Sequence, residues 1–267
     1  MPMMSRTEPD RPSGGVSAEQ AETEAPPGPG GLVAVVDRGP PAILTSVGQG
    51  IRFRRLPGAA AAYVRSAPGT YLWLLLLLLT TAALHHMPPR VEDHFLRQRS
   101  TNIHELSSHP VRAFVASAMW IEGGYILPYA ALYTAFHAQA ERWLGTARWL
   151  AVCIAAHVLA TLAGEGVLLL AIRDGDAPHS AVNTLDFGVS YALAGVSAVL
   201  TYRIAAPWRY AYLAGVLLVY GIPFAASPEF TKFGHLVSVA IGLACYPLTL
   251  GRGKPWNPKE TLATLRS

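Results

Sequence analysis

The chain has 267 residues, 51% of them hydrophobic and only 14% charged, with a formal net charge of +4. A soluble domain carries about 25% charged residues, so much of this surface is built to face something other than water. The small positive balance comes without a basic patch interleaved with aromatics, which argues against nucleic acid as a partner. The two cysteines, Cys153 and Cys245, sit in apolar runs, which excludes a disulfide framework and a cysteine zinc site.

Residues 1–50 are rich in Pro, Gly, Glu, Ala and Ser. Such a stretch cannot bury enough apolar surface to offset its ordering entropy, and a disordered cytoplasmic tail is expected. It does not read as a signal peptide, because acidic residues stand where a basic n-region belongs. Residues 51–69 form a basic juxtamembrane segment with Arg52, Arg54, Arg55 and Arg65. That segment suits contact with anionic lipid, or serves simply as a topology signal.

Six apolar segments follow, at residues 70–84, 113–136, 149–172, 185–202, 210–226 and 233–250. Each is near the roughly 20 residues that a bilayer demands. The fold class expected is therefore an all-α membrane protein, a six-helix bundle over residues 70–250 with a cytoplasmic tail over 251–267. A long polar loop, residues 85–110, separates the first two segments. Arg142 and Arg148, Arg203 and Arg209, and Arg252, Lys254 and Lys259 all fall on one side if there are six spans. Basic residues mark the cytoplasmic side, so both termini are expected there.

The fourth segment contains Asp186-Phe187-Gly188-Val189-Ser190-Tyr191, and the sixth opens Phe233-Gly234-His235. Both segments run inward from outside, so Ser190 and His235 are expected at similar depth, roughly 5–10 Å below the outer surface. Ser190, Ala194, Ser197, Ala198 and Thr201 form a small-residue stripe, and Gly234, Ser238 and Gly242 a second row. Such rows let membrane helices approach closely. An imidazole beside a serine hydroxyl can accept its proton and make it a competent nucleophile. A second Gly-x-Ser, Gly195-Val196-Ser197, lies about two turns deeper, below the level of His235. Asp186, four residues before Ser190, reads as a negative charge favoured at a helix N-terminus.

These stretches resemble the rhomboid family of intramembrane serine proteases, through Gly188 and Ser190 on the fourth segment and His235 and Gly242 on the sixth. Glu141-Arg142-Trp143-Leu144-Gly145 is similar to that family's Glu-x-x-Leu-Gly turn. The resemblance covers about residues 71–250. It implies a six-helix rhomboid-like core, Ser190 as nucleophile and His235 as general base, and helix packing through Ala194, Ser238 and Gly242. It also implies a plasma-membrane enzyme that cuts single-span membrane proteins near the outer surface, with no cofactor and no metal.

The chain departs from the family pattern in three places. The positions of the usual His-xxx-Asn on the second helix are Tyr125 and Tyr129, which could support the oxyanion together with Gly188 and the Ser190 amide. Tyr191 follows the serine where Gly is usual. Ala194 replaces the aromatic one turn later that stacks on the histidine. These departures motivate an alternative, an inactive rhomboid-like pseudoprotease that binds transmembrane clients. A further alternative is a small transporter or channel using Glu122 and Glu165 within the spans. The bland reading of Glu165 is a buried pair with His157. The loop histidines His85, His86, His94, His104 and His109 do not have the spacing of a zinc protease motif.

Overall fold

In the computed structural model the described residues are 56–266, apart from Glu122 and Gly124. The tail expected over residues 1–50, the arginines 52, 54 and 55, and Glu122 lie outside them. Among the described residues the fold is helical, with one isolated parallel bridge between Ile204 and Trp256.

Helix α1 (Leu56–Arg65) leads into α2 (Pro68–Leu84), which starts with proline in its first turn, where no backbone donor is lost. Leu77 and Leu84 are buried, whereas Leu72, Leu75, Leu78 and Leu79 point outward. An apolar face outside as well as inside requires an apolar surrounding. The same holds for α8 (Thr146–Asp174), with Ile154, Leu162 and Leu170 exposed, and α10 (Trp208–Ala226), with Leu218, Val219 and Ile222 exposed. Those two helices are long and apolar enough to cross a membrane by themselves; α2 and α11 (Phe230–Ala244) are shorter apolar helices.

Two expectations need correction. Residues 85–110 are not an irregular loop but carry α3 (Pro89–Arg97) and α4 (Ile103–Ser108). Leu96 of α3 packs with Leu84 and Phe187, which gives this segment a small core of its own. The second apolar segment is also not one helix. It begins with α5 (Pro110–Ser117), breaks, and resumes as α6 (Ile126–Leu132), a π-turn (Tyr133–His137) and α7 (Ala138–Leu144). Gly123, with φ of 77°, lies in the break, and a residue in that conformation cannot continue a helix. The helical run extends to Leu144 because Gly145, with φ of 81°, ends it there.

Glu141 on α7 is the polar anchor of this end. Its buried carboxylate accepts from the backbone N–H of Gly69 at 2.9 Å and of Thr70 at 2.7 Å, and from the Thr70 and Thr146 hydroxyls at 2.7 and 2.8 Å. It thereby caps α2 and ties it to the start of α8. Two arginines bond the chain that follows α11. Arg148 donates to the carbonyls of Leu248 and Leu250, and Arg203 to that of Lys254.

Helix α9 (Gly188–Val199) is the most buried helix and packs against α8 and α11, which also pack against each other. Small residues make that possible. A Cβ on Gly242 would lie 2.1 Å from the Gly195 carbonyl oxygen, and one on Gly195 would lie 2.4 Å from the Ala156 Cβ. Ser238 adds a hydrogen bond to the Tyr191 carbonyl. Gly242→Ala is therefore expected to force α9 and α11 apart and cost about 1–3 kcal/mol. Gly215→Ala on α10, where a Cβ meets open space, is the control. An unchanged thermal midpoint for Gly242→Ala would contradict this packing.

Candidate functional site

Every residue of α9 except Ser190 is buried. Ser190 opens instead onto a cavity of about 370 Å³ at the start of the helix, which His235 of α11 and Tyr129 of α6 also line. The structure thus brings three of the expected residues to one space. The Ser190 hydroxyl donates to the Phe187 carbonyl at 3.4 Å, a long bond, and is not hydrogen-bonded to His235 in this arrangement.

His235 is held by two aromatic rings. Tyr191 lies at 4.9 Å between centroids, tilted by 59°, and Tyr220 of α10 at 5.7 Å, nearly parallel at 17°. Tyr191 is fully buried, with its hydroxyl against the Cα of Gly234, where a Cβ would lie 2.8 Å away. A small residue at 234 is what admits this large ring after the serine. At the mouth of α11, Lys232 and Ser227 hydrogen-bond the Glu229 carboxylate and hold its pKa below the usual range.

The entry to α9 is clamped from the α3–α4 connection. Ser100 and Thr101 donate their hydroxyls to the Asp186 carbonyl at 3.1 and 3.0 Å, and the Asp186 N–H donates back to Ser100 at 2.8 Å. The Thr101 hydroxyl also reaches the Asp186 carboxylate at 3.1 Å, and Arg97 donates to the Asn183 carbonyl at 2.8 Å. Asp186 is thus part of a cross-link that fixes where α9 begins, and with it the height of Ser190. Nothing in its spacing to Ser190 points to Ser100 and Thr101, which lie about 85 residues away.

Other expected residues lie elsewhere. Tyr125 is exposed and lines a neighbouring pocket with His85 and His86. Gly188 faces His157, whose ring nitrogen Nδ1 would lie 1.9 Å from a Cβ placed there. Its lack of a side chain makes room for an imidazole rather than lining the Ser190 cavity. Ala194 is buried with Ala198, Val216 and Val239. Ser197 is buried and donates to the Leu193 carbonyl at 2.8 Å.

His157 contacts a different serine, with Nε2 3.2 Å from the Ser117 hydroxyl. Nε2 also lies 3.0 Å from the Phe114 carbonyl, which can only accept, so Nε2 carries the proton. It cannot then act as base toward Ser117, and the pair ties α5 to α8. The expected partnership of His157 with Glu165 is accordingly corrected: both Glu165 carboxylate oxygens are buried without a hydrogen-bond partner among the described residues.

The family model for rhomboid-like proteins matches residues 62–255. No curated protein and no solved structure matches the chain significantly.

Proposed function

The chain belongs to the rhomboid-like family of membrane proteins, and from that membership we propose that it is an intramembrane serine endopeptidase. The carrying observation is that Ser190, alone on α9, faces a cavity that His235 also lines. The 3.4 Å bond from Ser190 to Phe187 is long and therefore weak, so it holds the hydroxyl loosely. Catalytic contacts of this kind tighten when substrate binds.

In the proposed reaction His235 takes the Ser190 proton as the oxygen attacks the peptide carbonyl carbon. The C–N bond then breaks, and His235 returns the proton to the leaving amine. Water hydrolyses the resulting ester by the same route in reverse. Tyr129 and the Ser190 backbone N–H are the proposed oxyanion donors. Tyr129→Phe should lower turnover about 100-fold, the cost of one such donor; an unchanged rate would remove Tyr129 from the role. The substrates are single-span membrane proteins whose helices unwind locally, because a helical peptide bond is otherwise shielded by its own hydrogen bonds. The enzyme would cross the plasma membrane six times with both termini in the cytoplasm, the arginine-rich end inside.

A second reading is a client-binding pseudoprotease, favoured by the absence of a direct Ser190–His235 hydrogen bond. A fluorophosphonate probe separates the two. The wild type should label at Ser190 in detergent or lipid. Failure to label in every membrane mimic tried would support the pseudoprotease.

A further inference from the structure

The residue one turn after Ser190 is Ala194, fully buried in a cluster with Ala198, Val216 and Val239. The small side chain puts no ring of its own beside His235. Tyr220 packs against this same cluster from α10. Its ring lies nearly parallel to His235, with the centroids 5.7 Å apart. The helix that brings it is loosely held: Val216 is its one buried residue, and a Cβ on Gly215 or Gly221 would meet open space. A direct polar tie from α10 to α9 is the Tyr212 hydroxyl, which donates to the Ser197 carbonyl at 2.8 Å.

We propose that Tyr220 is the positioning residue for the His235 imidazole, supplied from α10 in place of a ring at position 194. Tyr191 also contacts the imidazole, at a tilt, so the aromatic clamp on the ring is complete while α10 lies against α11. Aromatic stacking sets ring orientation with an energy comparable to a tenfold change in population. The proposal rests on the protease reading for its kinetic consequence but not for its geometry.

The test uses the full-length protein in lipid nanodiscs with two readouts. The first is the rate of fluorophosphonate labelling at Ser190. Tyr220→Phe keeps the ring and should label within about twofold of wild type. Tyr220→Leu keeps apolar volume without a ring and should label about tenfold more slowly. The second readout is independent of catalysis. In protein with labelled histidine, the His235 ring-proton resonances, assigned by their loss in His235→Gln, should be shifted by the Tyr220 ring current. The shift should persist in Tyr220→Phe and vanish in Tyr220→Leu. Unmoved His235 resonances in Tyr220→Leu would overturn the stacking whether or not the protein labels. Moved resonances with an unchanged labelling rate would overturn the positioning role. A wild type that never labels, with the resonance pattern intact, would count against the protease reading and leave the stacking supported.

Discussion

Ser190→Ala and His235→Gln are each expected to abolish cleavage of a single-span substrate reconstituted in liposomes, while the protein stays folded. Residues that act as one nucleophilic unit are non-additive, and losing either costs nearly as much as losing both, on the order of 10⁶-fold in a soluble serine protease. The double variant should therefore be no slower than either single one. Stability should hardly change in Ser190→Ala, because the hydroxyl makes the 3.4 Å bond to Phe187 and is partly exposed to its cavity. His235→Gln keeps a polar side chain between Tyr191 and Tyr220 and avoids the gap an alanine would leave. Ser197→Ala is the internal control. Ser197 is buried, and its hydroxyl is already given to Leu193, so cleavage should persist. Fragments appearing at the wild-type rate with Ser190→Ala would sink the mechanism.

Glu141→Ala is expected to be the most destabilising single change, at about 3–5 kcal/mol. The carboxylate is buried and is the acceptor for two backbone N–H groups and two hydroxyls. Truncation leaves the Gly69 and Thr70 donors without that acceptor, at about 1–3 kcal/mol each. It also removes a negative charge from the N-terminal turn of α2, where the helix dipole favours it. Glu141→Gln keeps the shape and one acceptor oxygen, but its amide nitrogen then faces a donor, so it should fall between wild type and alanine. The measurement is the thermal midpoint in a fixed detergent, with the amount of folded protein in the membrane fraction as a check. A midpoint for Glu141→Ala within error of wild type would show that this carboxylate does not hold α2 to α7 and α8.

The Glu141 turn also shows how legibility varies along the chain. Glu141 to Gly145 stood out only as a resemblance. Its physical reason, a carboxylate capping a helix more than seventy residues earlier in the chain, lies in contacts no local pattern carries. The second apolar segment misled for the opposite reason. Hydropathy is continuous enough across residues 113–136 to read as one helix, yet the chain breaks near Gly123. A window average does not register one backbone conformation. The small row Gly234, Ser238 and Gly242 was legible, because small residues at helical spacing have few other uses in lipid. Its counterpart on α9 is Tyr191, Gly195 and Ala198, a face that includes a large aromatic and so does not stand out as a small-residue stripe.

From the residues alone came the helical class, the apolar character of the exterior and the candidacy of Ser190 and His235. These depend on composition and on periodicity within one helix, and both survive without knowing what packs against what. The tertiary structure alone decided that Tyr129 and not Tyr125 reaches the cavity, and that Gly188 makes room for His157. It alone decided that Ser100 and Thr101 pin the start of α9, and that Tyr220 from α10 covers His235 where Ala194 cannot. Each of these is a contact between elements far apart in sequence. Such contacts depend on the rotation and depth of whole helices, and helical spacing says which residues share a face but not which face meets which.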